Sequence, residues 1–183
     1  MEPNREANKK YQIGSALFDI IAIAQASILL AAFLWAGAER YSMKLPFSIA
    51  LGRALLLFPV GIFGLLWFVL IQFYPSHVPA LQGFEKDPHV SFLAFGQVAI
   101  AIAGIIAYFR KEYFYASAVT LVACIYLGGL GLFHLVDFLY VGLWAPGHTG
   151  LSVSCNLLTV AALIGALAAW KRKLNHHEER SRP

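Results

Sequence analysis

Five apolar runs, separated by short polar or proline-rich links, leave this chain of 183 residues little freedom in how it folds. They cover about residues 12–36, 54–73, 90–109, 113–138 and 151–170. A hydrocarbon core roughly 30 Å thick is crossed by ~20 apolar helical residues. Inside it every backbone N–H and C=O must find its partner within the segment or the protein. The expectation is an all-α integral membrane bundle of about five transmembrane helices, forming a single domain over residues 1–183.

Composition agrees with that frame. The chain is 59% hydrophobic and 13% charged, with a mean hydropathy of +0.65, whereas soluble domains carry roughly 25% charged residues. A net charge of +4 might point to nucleic acid, but the basic residues flank apolar runs, where anionic headgroups and topology account for them. The lipid bilayer is the expected partner, and nucleic acid is not. Cys124 and Cys155 fall in different runs at different depths, so no disulfide is expected. The small-residue triplet Ala24-Gln25-Ala26 mimics a signal-cleavage site. The run continues through Trp35, however, which is far longer than the ~7–15 apolar residues of a signal peptide, so it reads as a span.

Links and breaks follow from local chemistry. Gly37 to Leu45 reads as a short basic loop carrying Glu39, Arg40 and Lys44. Leu45 to Phe73 is too long for one crossing, and Arg53 divides it into an interfacial lead and a span. Pro59 should kink that span and free the carbonyl of Leu55, while Gly61 and Gly64 permit close helix approach. Ala99, Ala103 and Ala107 form a small-residue stripe in the third span. Pro75, Pro79 and Pro88 mark one loop, Trp144 to Gly150 a turn, and Lys171 to Pro183 a polar tail. With five spans, ten Lys and Arg residues fall on the side of the first loop and the C-terminal tail, and four on the other. The positive-inside rule then places the protein in the cell membrane with its N-terminus outside and its C-terminus in the cytoplasm.

Placed on that topology, the intramembrane polar residues gather in one leaflet. Asp19, Gln72, Gln97, His134, Asp137 and Asn156 all fall in the outer half of their spans, with His77, His89 and His148 in the loops beside them. Polar groups in hydrocarbon are costly and usually face a bundle interior, a cavity or one another. The set therefore reads either as a polar vestibule or as ordinary interhelical hydrogen bonding. His134 and Asp137, three apart on one helical face, carry three readings. They could act as an acid-oriented base or proton relay, as part of a zinc or copper site with a loop histidine, or as a helix-end hydrogen bond. No second histidine stands at metal spacing on that helix, so neither a metal site nor a catalytic residue is assigned, and no cofactor is specified.

Other chemistry is absent from the sequence. It holds no Gly-rich phosphate loop followed by lysine, no C-x-x-C and no H-E-x-x-H. Ser152 and Ser154 lack a nucleophile-elbow context. Arg53 reads as a residue that snorkels to the interface or grips a lipid phosphate. Trp35, Tyr74, Tyr108, Tyr113, Trp144 and Trp170 fall at span ends, as an interfacial aromatic belt does.

From Arg53 onward the chain resembles a family of small bacterial multi-pass membrane proteins known only as a domain of unknown function. The resemblance rests on Arg53 with Phe58-Pro59-Val60-Gly61-Ile62, Phe73-Tyr74-Pro75 leading to Val78, Pro88, His134, and Ala145-Pro146-Gly147 with Gly150. It covers about Arg53 to Ile164. The family loop A-P-G-N-A-G stands here as A-P-G-H-T-G, with His148 in the Asn place. Gln72 replaces a histidine of the pattern, Phe133 a glycine, Val90 and Phe92 a Gln and a Glu, and Asn156 an aspartate. The resemblance implies a membrane fold and a role for His134, and it supplies no reaction. Two functional classes remain open. One is a small transporter or an accessory subunit docking a partner protein or a second copy; the other is a membrane enzyme or redox component using His134 and Asp137 on a lipid or quinone.

Overall fold

The computed structural model describes the backbone of residues 5–73, 89–141 and 151–180, with side-chain surroundings for residues 20–73, 94–136, 139–140, 151–176 and 179. Its elements are α1 (Arg5–Met43), α2 (Phe47–Leu55), a π-helical segment (Leu56–Ile62), α3 (Phe63–Phe73), α4 (His89–Arg110), α5 (Tyr113–Val141) and α6 (Leu151–Arg180). Among the described residues, four stretches are long and apolar enough to cross a membrane: Ile20–Met43, Phe47–Phe73, Tyr113–Val136 and Leu151–His176; Ala94–Arg110 is a shorter apolar one. The protein is a membrane helical bundle. Large apolar side chains point outward, with Leu34 and Ile125 each 68% exposed, while Ala32, Ala36, Ala54, Ala107 and Ala123 are fully buried. That inversion suits a hydrocarbon solvent, in which small residues let helices approach and apolar ones lose nothing by facing out.

The first helix does not stop where the sequence suggested. The stretch Gly37 to Met43, expected as a loop, continues α1, because no proline intervenes before Pro46 and the flanking alanines favour helix. Its buried face reads Ala22, Gln25, Ala32, Ala36 and Glu39, with half-buried Leu29 between, at alternating steps of three and four. The chain then turns through Lys44, at φ 53°, and Pro46 into α2. The carbonyl of Pro46 accepts the amides of Ile49 and Ala50 at 3.0 and 3.1 Å. A second tight link, at Lys111 with φ 60°, joins α4 to α5.

Pro59 does not interrupt its helix. A proline lacks the amide proton and its ring crowds the carbonyl four residues back. Here the helix widens to i→i+5 bonding, as when Phe63 N–H donates to Phe58 O, so the chain passes the expected kink site as a π segment continuous with α2 and α3. This element lies very close to α4. A Cβ on Gly104 would stand 2.7 Å from Leu56 O, one on Gly61 2.6 Å from Ile105 Cγ1, and one on Gly64 2.9 Å from Ala101 Cβ. The alanine stripe of α4 is not one face: Ala107 is buried, Ala103 half-buried and Ala99 exposed. Steps of four drift around a helix of 3.6 residues per turn.

On the other side, α5 and α6 run antiparallel, with Gly131 against Leu157 and Gly128 against Val160. Gly52 of α2 faces Ala166 of α6. Helix α6 runs on through Lys171 to Arg180, where a polar tail was expected. Cys124 and Cys155 are both free.

Candidate functional site: two polar clusters inside the bundle

The bundle holds a charged cluster at the end where the two tight links lie. Helix α1 brings Glu39, α2 brings Arg53 and α4 brings Tyr108; Glu39 and Arg53 are each 2% exposed. Tyr108 OH donates to Glu39 Oε1 at 2.8 Å and accepts from Trp35 Nε1 at 3.0 Å. Arg53 Nε donates to the Tyr108 carbonyl at 3.2 Å, and its guanidinium carbon lies 4.7 Å from the centre of the Tyr108 ring. The charges meet between Arg53 Nη1 and Glu39 Oε2 at 3.5 Å. That is close enough for Coulomb attraction but outside hydrogen-bonding geometry, so both atoms are buried without a hydrogen bond.

This arrangement corrects two expectations. Arg53 does not snorkel toward a headgroup; the Glu39 carboxylate one helix away keeps it inside the bundle, because an unpaired buried charge would cost far more than the pair. Tyr108 and Trp170 are not open members of an aromatic belt, being 8% and 5% exposed. Trp170 packs edge-on against Tyr113 at 5.7 Å. Trp35, 44% exposed, keeps one face outward while its indole N–H serves the cluster. Tyr74 and Trp144 lie outside the described residues.

A second, uncharged cluster lies in the opposite half. Gln25 Nε2 donates to Asn156 Oδ1 at 2.7 Å, and Ser152 Oγ donates to Gln25 Oε1 at 2.8 Å, tying α1 to the start of α6. Fourteen residues separate Gln25 from Glu39, which places the two clusters about 21 Å apart along α1 at ~1.5 Å per residue. Gln97 of α4 is buried and accepts from Tyr126 OH of α5 at 3.4 Å. His134 is buried, at 3% exposure, one helical turn beyond Gly131, which faces Leu157. It therefore lies at the level of the α6 N-terminal turns, with the Phe133 ring 5.9 Å from its own. Gln72 Nε2 is buried without a hydrogen bond among the described residues.

Of the anticipated vestibule residues, then, Asn156, Gln97, His134 and Gln72 face the interior or bury their polar atoms. Asn156 accepts from Gln25 of α1. The side chains of Asp19, Asp137 and His89 lie outside the described residues, as do His77, His148 and the A-P-G-H-T-G turn. No group of three His, Cys, Asp or Glu side chains gathers to hold a metal among the described residues.

Sequence reasoning missed Gln25, Ser152, Glu39, Trp35 and Tyr108 as site residues. The signal for Glu39 was present in its three-and-four spacing from Gln25, Ala32 and Ala36. No curated protein and no solved structure matches the chain. One family does, over residues 17–177, which brings in the first span that the shorter resemblance from Arg53 to Ile164 left out. With that match over residues 17–177, the chain belongs to the family of unknown function DUF6790.

Proposed function

We propose that the protein is a small membrane transporter in which the two polar clusters are successive stations on one path and the Glu39–Arg53 pair closes the path at its basic end. The observation that carries this reading is the buried ion pair itself. Replacing such a pair with apolar residues of similar volume is often neutral or stabilising, so a charged pair kept inside an apolar bundle points to use rather than to stability. The amide cluster of Gln25, Asn156 and Ser152 offers both donors and acceptors, as a route for a small polar solute requires. The basic end, with Arg40, Lys44, Arg110, Lys111 and Lys171, faces the cytoplasm under the positive-inside rule.

Purified protein in liposomes, shifted into hyperosmotic acetate, phosphate, glycerol or urea and followed by light scattering, tests the reading. At least one solute should re-swell the vesicles faster than protein-free controls. Equal rates for all four would overturn transport and favour an accessory subunit that docks a partner. The enzyme reading rests on His134, buried at the same depth as the start of α6. For that reading, His134→Ala and His134→Gln must both fold while changing the lipid or quinone recovered with the protein.

A further inference from the structure

The Glu39–Arg53 contact is short of two hydrogen bonds, and the two unsatisfied atoms face each other. Glu39 Oε1 is served by Tyr108 OH. Among the described residues, Oε2 and Arg53 Nη1, 3.5 Å apart, have no hydrogen bond, although both are sealed from solvent. An ionised carboxylate only accepts and a guanidinium only donates, so the pair ought to close on itself, and it does not. The constraint is visible in the packing. Arg53 is held from behind by its Nε bond to the Tyr108 carbonyl and by the Tyr108 ring, while Glu39 is held by the Tyr108 hydroxyl.

A proton on Oε2 changes what the pair can bind. The Oε2–H and the Nη1–H then both donate, and one acceptor oxygen within hydrogen-bond distance of each satisfies both. Charge accounting selects the same partner. With Glu39 ionised and Arg53 charged the site is neutral; an anion alone would make it negative and a proton alone would make it positive. Either net charge is heavily disfavoured in a low-dielectric interior. An anion and a proton together leave it neutral. Guanidinium chemistry favours a planar or tetrahedral oxyanion. The surrounding rim is basic, with Arg40, Lys44, Arg110, Lys111 and Lys171 all exposed and Glu112 the acid among them, an arrangement that concentrates anions at this end of the bundle.

We propose that Glu39 and Arg53 form a binding site for a small oxyanion, a carboxylate or phosphate, which enters together with one proton that goes onto Glu39 Oε2. The groups facing Glu39 are Arg53 from α2 and Tyr108 from α4, with Trp35 behind the tyrosine. Among the described residues, α5 and α6 bring no charged side chain to it, and their basic residues stay at the exposed rim. The proposal deepens the transport reading by naming the solute class and its coupling, and it rests on that reading only for its purpose.

The test is calorimetric titration of the full chain, in phosphatidylcholine nanodiscs, with sodium acetate and separately with inorganic phosphate. Buffers of different ionisation enthalpy report the protons taken up. Wild type should take up about one proton per acetate, and its affinity should fall by about tenfold per pH unit of alkalinisation, as one-for-one linkage requires. Glu39→Gln, whose amide is a fixed donor in place of the protonated acid, should bind acetate with no proton uptake and no pH dependence. Arg53→Gln should lose binding, with helical content and elution volume unchanged from wild type. Competition by phosphatidylglycerol in the disc would assign the same chemistry to a lipid phosphate; indifference to that lipid would assign it to the free anion.

Wild type that binds neither probe in acid buffer, or a proton count identical in wild type and Glu39→Gln, would overturn the proposal. Oxyanion binding without flux in liposomes would sink transport and leave the site. Glycerol flux without oxyanion binding would do the reverse.

Discussion

A close helix approach at Gly104 gives a prediction whose sign depends on packing. Gly104 on α4 faces the π segment, and a methyl group added there would stand 2.7 Å from Leu56 O and 3.0 Å from Val60 Cγ1. Carbon–oxygen contacts settle at about 3.3–3.6 Å, so the two helices must part by roughly 0.6 Å or more. The obstructing atom is a main-chain carbonyl and cannot rotate away. Parting the seam also pulls Gly61 from Ile105 and Gly64 from Ala101. Overpacking of this kind costs about 1–3 kcal/mol, against which alanine returns up to about 1 kcal/mol of helix propensity.

Gly104→Ala should therefore lose about 1–2 kcal/mol. Gly165→Ala on α6, where nothing lies within 4 Å, should be neutral or gain up to about 1 kcal/mol. Reversible unfolding in mixed micelles of rising dodecyl sulfate fraction, followed by helical circular dichroism, measures both. If Gly104→Ala is as stable as wild type, or the two variants shift in the same direction, the seam is not the close contact described and the reasoning fails.

The same unfolding assay reads three more expectations. Glu39→Met and Arg53→Met singly should each cost about 3–5 kcal/mol by stranding a buried charge, while the double variant should be more stable than either single; strict additivity would show that the two side chains are not coupled. Asn156→Leu should cost about 0.6–1.7 kcal/mol, the range of interhelical hydrogen bonds in membranes. It should cost almost nothing once Gln25 is also leucine, and an undiminished loss in that background would place the effect elsewhere. Lys111→Gly should gain about 1 kcal/mol, because φ 60° is a conformation in which a side chain is strained and glycine is not; a loss would mean that the lysine side chain is needed at that link.

Apolar length was enough to read the bundle, because a hydrocarbon core constrains every spanning segment in the same way. Punctuation was less reliable. Gly37 and the charges after it look like a loop to rules drawn from soluble chains, yet within a membrane a helix ends where its hydrogen bonds can end, and here that is Lys44 and Pro46. Pro59 signalled a kink, and the helix carries it in a wider turn. The vestibule residues were picked out by polarity within each span; Asn156, Gln97 and His134 are buried in the bundle, but polarity alone did not point to Gln25 and Tyr126, which bond the first two. Gln25 was passed over as a cleavage-site mimic and Glu39 as a loop residue. Their pairing to Asn156 and Arg53 depends on which face of α1 turns inward, and the spacing of Ala32 and Ala36 gives that face only when Gln25 and Glu39 are read with them.

The two tethers of α1 also set an order for making the protein. As the chain is synthesised, α1 enters the bilayer carrying an acid and an amide that have nothing to bond. Glu39 meets Arg53 after only one short turn, so α1 and α2 can leave the insertion machinery with that buried pair already made. Gln25 must wait for Asn156, which follows it by 131 residues. Until α6 arrives, one end of the first helix is fastened and the other is not, and a chaperone or insertase that shields a lone glutamine would find its client in that interval.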